Sequence, residues 1–172
     1  MEDILRLLQR LDRLLLSTLK AVSITCFFLL TILITANVFV RFFPVVSLHW
    51  FDEIIELLYA YLVFYGAAAL WITREHLCVG DWISGRLFTG PAVQRAYRLV
   101  LELLGLLFAA VFCAYATRLT GLSLEVTNVF AIPKKVLYSC MAVSGAIMVL
   151  YSIRNCVTEI LRWRRPAAGA RP

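Results

Sequence analysis

The chain has 172 residues, of which 62% are hydrophobic and 16% are charged, and its mean hydropathy is +0.83. A soluble domain is usually about 45–50% apolar, so this composition excludes an ordinary water-soluble globule, which would lack the polar residues to cover its surface. The net charge of +6 does not indicate nucleic-acid binding, because the basic residues flank apolar runs instead of forming a soluble patch.

The N-terminal segment from Ile4 to Ser17 is predicted to form an amphipathic helix. Ile and Leu side chains recur on one face at helical spacing, and Arg side chains recur on another face. Such a helix lies in the membrane interface with its arginines among the lipid headgroups. The alternative is that this segment is a water-exposed extension of the first membrane span.

Four apolar runs follow, each close to the roughly 20 residues that a transmembrane helix needs. They predict spans over about residues 18–42, 50–73, 96–118 and 133–158. We therefore expect an all-α integral membrane protein with a single domain over residues 1–165 and a disordered tail over residues 166–172. In the second loop, the apolar face of the segment from Val79 to Phe88 predicts a short interfacial helix before Pro91.

The distribution of basic residues predicts the orientation of these spans. Thirteen of the 17 Lys and Arg residues lie in the N-terminal segment, the second loop with its flanks, and the C-terminal tail. Cytoplasmic loops carry such an excess. Both termini are therefore predicted to be cytoplasmic, which places the first and third loops on the opposite side of the membrane.

Residue types that carry chemistry show no catalytic or cofactor-binding pattern. The five cysteines form no CxxC pair and most lie in apolar runs, where thiols behave as small hydrophobes, so we expect neither a disulfide nor a metal site. His49 and His76 lie at span ends on opposite sides of the membrane, which disfavours a haem site on facing helices. The sequence therefore predicts no enzyme and no cofactor.

Two acidic residues lie inside predicted spans, and intramembrane ionisable groups are functional candidates by default. Glu102 is one turn from Arg98, so an i,i+4 ion pair at the start of the helix explains why a carboxylate is tolerated there. Glu56 lies in the N-terminal turns of span two, where the helix dipole favours negative charge. These structural explanations and an ion-relay role both remain open.

Small residues recur four apart at Gly105 and Ala109 and at Ala142 and Ala146. Such spacing lets helices approach closely, either within this chain or against another one.

Four motifs occur in order along these spans. The first span ends in Asn37-Val38-Phe39-Val40-Arg41-Phe42, and the second opens with Trp50-Phe51-Asp52-Glu53. Gly66 to Ala69 precedes Arg74-Glu75-His76-Leu77-Cys78-Val79, and Ile132-Pro133-Lys134 leads into the fourth span. Over nearly the whole chain this order resembles the small membrane subunit (Q, or DctQ-type) of tripartite ATP-independent periplasmic (TRAP) transporters.

The resemblance implies a non-catalytic scaffold in the bacterial inner membrane. Its implied partners are membrane lipids, a large M subunit that holds the substrate and sodium sites, and a periplasmic binding protein that delivers the solute, often an organic acid. The family usually has an aspartate directly after the valine, where this chain has Gly80 followed by Asp81. The partner or interface positions that the resemblance implies are Arg41, Trp50, Glu53, His76, Asp81 and Pro133.

Arg41 and Glu53 end adjacent spans on the same side, so we expect them either to pair across the first loop or to act as separate solvated anchors. Two other functions remain open at this stage. One is a self-contained homo-oligomeric transporter or channel built around Glu56 or Glu102. The other is the membrane anchor of a redox complex.

Overall fold

The computed structural model describes residues 2–42, 50–74 and 90–164. In these ranges four helices follow one another: α1 (Glu2–Phe42), α2 (Trp50–Thr73), α3 (Pro91–Leu122) and α4 (Lys134–Arg164). Each contains a segment that is long and apolar enough to cross a membrane. The predicted all-α membrane fold is therefore confirmed, whereas the short helix of the second loop and the tail at 166–172 lie outside the described residues.

Helix α1 is 41 residues long, which corresponds to roughly 60 Å at 1.5 Å per residue. That is twice the ~30 Å thickness of the hydrocarbon core. The predicted amphipathic segment is helical, and it continues into the first span without a break. The hydroxyls of Thr18, Thr31 and Thr35 donate to carbonyls four residues earlier, so these exposed polar groups are satisfied inside the helix.

The ends of α2 follow from local chemistry. Asp52 and Glu53 lie in its first turn, where carboxylates complement the helix dipole. Arg74 follows the last turn with a φ of 60°, and its N–H donates to the carbonyl of Trp71 at 3.3 Å. A residue in this left-handed conformation commonly terminates a helix.

Helix α4 lies at the centre of the bundle, packed along both α2 and α3, while α1 packs along α2. Its side chains Cys140, Ser144 and Ser152 are almost completely buried. The up-and-down order places the start of α2, the start of α4 and the loop between α3 and α4 at one end of the bundle, which we call the Trp50 end. Arg74 lies at the other end, which we call the Arg74 end.

Small residues allow these helices to approach closely. Ala68 and Ala69 of α2 and Ala109 of α3 belong to the buried core. Gly145 of α4 faces the backbone of α3, because a Cβ at this position would lie 3.0 Å from the Cα of Cys113. Small residues of all three helices therefore serve packing within the chain.

Outward-facing side chains are large and apolar. Along α3, exposed residues recur every three or four positions and form a continuous stripe, which is the pattern of a helix face that meets lipid or another protein. This stripe consists of Leu104, Phe108, Val111, Tyr115, Leu119 and Leu122.

Candidate partner-binding site

The loop between α3 and α4 folds into a short hairpin at the Trp50 end, which we call the 123–133 hairpin. Val126 and Pro133 form an antiparallel bridge. The N–H of Thr127 donates to the carbonyl of Ile132 at 2.9 Å, and the N–H of Ile132 donates to Thr127 Oγ1 at 3.1 Å. Residues 128–130 make the turn, and Ala131 follows it with a φ of 50°. The loop thus has a defined shape, although its sequence shows no regular pattern.

Glu53 ties α2 to the tip of this hairpin. Its Oε1 accepts a hydrogen bond from the N–H of Val129 at 2.7 Å, and its Oε2 accepts one from the N–H of Phe130 at 3.2 Å. Hydrogen bonds to a carboxylate are stronger than those between neutral groups, so Glu53 positions the hairpin across the start of α2. The side chain of Arg41 lies outside the described part of the chain, and its pairing with Glu53 stays a prediction.

An ion pair closes the base of the hairpin. Lys134 Nζ lies 2.6 Å from Glu125 Oε2, and the backbone N–H of Lys134 donates to the carbonyl of Glu125 at 2.9 Å. The hydrogen bond from Lys134, followed by its positive charge, holds the pKa of Glu125 below its usual value. Exposed pairs contribute little to stability, so this one mainly sets the register of the hairpin.

A mostly apolar pocket lies between the first turns of α2, the hairpin and the start of α4. Its walls include Leu57, Phe130, Ile132 and Leu137, and Glu53, Glu56 and Lys134 also line it. At the same end, the indole of Trp50 stacks on the ring of Phe51 with 4.2 Å between ring centroids. The structure thus brings together three residues that the sequence singled out, Glu53, Glu56 and Pro133, while Trp50 lies at the start of the same helix.

A second charged cluster joins three helices at the Arg74 end. Arg74 Nη1 lies 3.4 Å from Glu159 Oε1 of α4, and Arg74 Nη2 lies 3.7 Å from Glu102 Oε1 of α3. Glu102 is only 6% exposed. The sequence suggested Arg98 as its partner, which stays a prediction, and the structure places Arg74 from a different helix beside it. The sequence placed Arg74 in a motif but did not reveal its contacts with Glu102 and Glu159, because spacing along one helix does not reveal contacts between helices.

The N-terminal part of α1 is also fixed to α4 at this end. Asp12 accepts hydrogen bonds from the hydroxyl of Tyr151, at 2.6 Å, and from Nη1 of Arg154. The guanidinium of Arg154 lies 4.4 Å from the centroid of the Tyr151 ring, a cation–π distance. The spacing of residues along the sequence did not predict this contact between α1 and α4.

Two of the residues implied by the resemblance, His76 and Asp81, lie outside the described ranges. Residues 30–162 match a family model described as "Tripartite ATP-independent periplasmic transporters, DctQ component". The match covers most of the chain and includes both the Trp50 end and the Arg74 end. No curated protein matches the chain.

Proposed function

The chain belongs to the DctQ family of TRAP transporter components, and on that basis we propose that it is the small, non-catalytic scaffold subunit of a TRAP-type secondary transporter. It binds the large M subunit in the bacterial inner membrane. The complex takes up a solute, an organic acid, by ion-coupled transport after a periplasmic binding protein delivers it. The observation that carries this proposal is the family match over residues 30–162.

The distribution of charge along the helices supports a scaffold. Between residues 57 and 73, 103 and 117, and 136 and 153, no Asp, Glu, Lys or Arg occurs. A solute or ion pathway through this chain would call for ionisable groups at that depth. Glu102, one of the two acidic candidates for a relay, lies beside Arg74 near the end of the bundle, which supports a structural role for it.

The orientation in this proposal follows the excess of basic residues on one side. It makes the Arg74 end and both termini cytoplasmic. The Trp50 end, with the 123–133 hairpin, then faces the periplasm, where the amphipathic ring of Trp50 suits the membrane interface.

Purification of the tagged chain from its native host in mild detergent tests the proposal. We expect a large polytopic membrane protein to co-purify in stoichiometric amount, and solute uptake by liposomes to require both proteins and the binding protein. A pure homo-oligomer that moves solute by itself would refute the scaffold role. A Soret absorbance band would instead support the redox anchor and equally contradict the proposal.

Two substitutions at the Trp50 end refine this test. Trp50→Ala and Glu53→Ala are each expected to weaken assembly or uptake, the first by removing an interface anchor and the second by releasing the hairpin. Asp52→Ala is the matched control, because Asp52 is exposed in the same helical turn. Unchanged co-purification and uptake in both variants would show that Trp50 and Glu53 do not contribute to the interface with the large subunit.

A further inference from the structure

We propose that the pocket at the Trp50 end is the docking site for the large membrane subunit. In this arrangement an apolar side chain of the partner fills the pocket, and a basic side chain of the partner pairs with Glu56. The inference rests on the proposed function and names the surface through which that function is exercised.

The position of Glu56 is the first observation. Its side chain is exposed although it lies within the candidate span Trp50–Thr73, roughly 9 Å along the helix from Trp50 at 1.5 Å per residue. Among the described residues, Glu56 forms no hydrogen bond or ion pair with another side chain. Charged residues within membrane spans face protein or water and pair with other charged groups, so a basic group of a partner that covers this face would pair with Glu56.

The charges around Glu56 determine what kind of partner fits. Lys134 lines the same pocket and attracts Glu56 weakly through its charge, but its ammonium is held by Glu125 at 2.6 Å. Glu53 is occupied by the two hairpin amides. The acidic group left to bind a ligand at the pocket is therefore Glu56, and charge complementarity requires a basic group on the occupant.

The shape of the pocket is held by contacts from several directions. Glu53 fixes the hairpin to α2, and the hydroxyl of Tyr61 donates to the carbonyl of Val136 at 3.0 Å, which joins α2 to α4. Exposed apolar side chains of the hairpin, Phe130 at 45% and Ile132 at 38% exposure, stand beside the charged group. A preformed apolar pocket with one adjacent charge is suited to an anchoring side chain of a protein partner.

The surface continues from the pocket along α2. Tyr59 and Val63 follow Glu56 at helical spacing and are 59% and 42% exposed. Glu56 and these two residues form one outward face, which a helix of the partner can cover while its basic side chain reaches Glu56.

The test measures the affinity between this chain and the large membrane subunit, each reconstituted in lipid nanodiscs or mild detergent. Glu56→Gln is expected to weaken binding at least tenfold, and Glu56→Arg to weaken it further because two cations would then meet. Ile132→Trp, which fills the pocket, is also expected to weaken binding at least tenfold. Asp52→Asn removes the same charge one turn earlier and outside the pocket, so it is expected to change affinity less than threefold.

Two controls separate the possible failures. Helical circular dichroism and the thermal midpoint of each isolated variant show whether it still folds, and only variants that match the unaltered chain are compared. If the unaltered chain does not bind the large subunit, the proposed function falls together with this inference. If it binds and the Glu56 and Ile132 variants bind as tightly as Asp52→Asn, this inference alone is overturned.

A photo-crosslinking residue in place of Leu57 provides an independent readout. We expect it to label the large subunit in the assembled complex. Labelling of phospholipid alone would show that lipid covers the pocket and would overturn the inference.

Discussion

The Arg74 cluster, formed by Arg74, Glu102 and Glu159, leads to a quantitative prediction about how α2, α3 and α4 are held together. Arg74→Gln removes the guanidinium that lies 3.7 Å from Glu102 and 3.4 Å from Glu159. The variant keeps both carboxylates, one of which has a side chain that is only 7% exposed. The packed helices then hold the same two carboxylates with one cation fewer, and we expect the free energy of unfolding to fall.

The magnitude follows from the geometry. At these separations two unit charges attract by about 4–5 kcal/mol at an effective dielectric constant near 20. The Arg74 side chain is 33% exposed, so solvent screening and the cost of desolvation offset much of this attraction. We therefore expect a coupling energy of about 1–2 kcal/mol between Arg74 and Glu102.

A double-mutant cycle measures this coupling. Arg74→Gln, Glu102→Gln and the combined variant are unfolded reversibly in mixed detergent micelles, with helicity followed by circular dichroism. Arg118→Gln serves as a control, since this exposed residue lies near the far end of α3, and its effect is expected to stay within about 0.5 kcal/mol. A coupling energy below about 0.5 kcal/mol would refute the idea that this ion pair holds the helices together.

Three further predictions concern other contacts. Gly145→Leu should lower the free energy of unfolding by about 1–3 kcal/mol, because its Cβ would lie 3.0 Å from the backbone of α3. Gly121→Leu, whose Cβ would have nothing within 4 Å, should be nearly neutral. Equal effects of the two substitutions would contradict the close approach of α3 and α4. Glu53→Gln should speed hydrogen exchange at the two hairpin amides that Glu53 binds. Unchanged exchange there would show that Glu53 does not hold the hairpin. The pKa of Glu125 is lower in the folded state than in the unfolded chain. The stabilisation from its ion pair with Lys134 should therefore be fully present above the unfolded-state pKa of Glu125, and it should be lost as the pH falls through the folded-state pKa. An acid titration of the Lys134 amide resonance checks this, and Glu125→Gln should abolish the transition.

The sequence by itself determined the four membrane spans, the absence of charge from their middles and the family resemblance. The spans and their uncharged middles depend on composition along one segment, because the membrane selects any apolar run of sufficient length regardless of what packs against it. The motifs at Trp50 and Pro133 were recognisable for the same reason, since they mark span ends where the chain meets the interface.

Only the tertiary structure decided which side chains meet. It showed that Glu53 binds the amides of Val129 and Phe130 and that Arg74 reaches Glu102. It also showed that the N-terminal segment continues into α1 as a single helix. Contacts between helices depend on their rotation and axial register, and these are set by shape complementarity at small residues such as Gly145. Apolar periodicity along one helix carries too little information to specify them, because in a membrane protein the buried face and the outward face are both apolar.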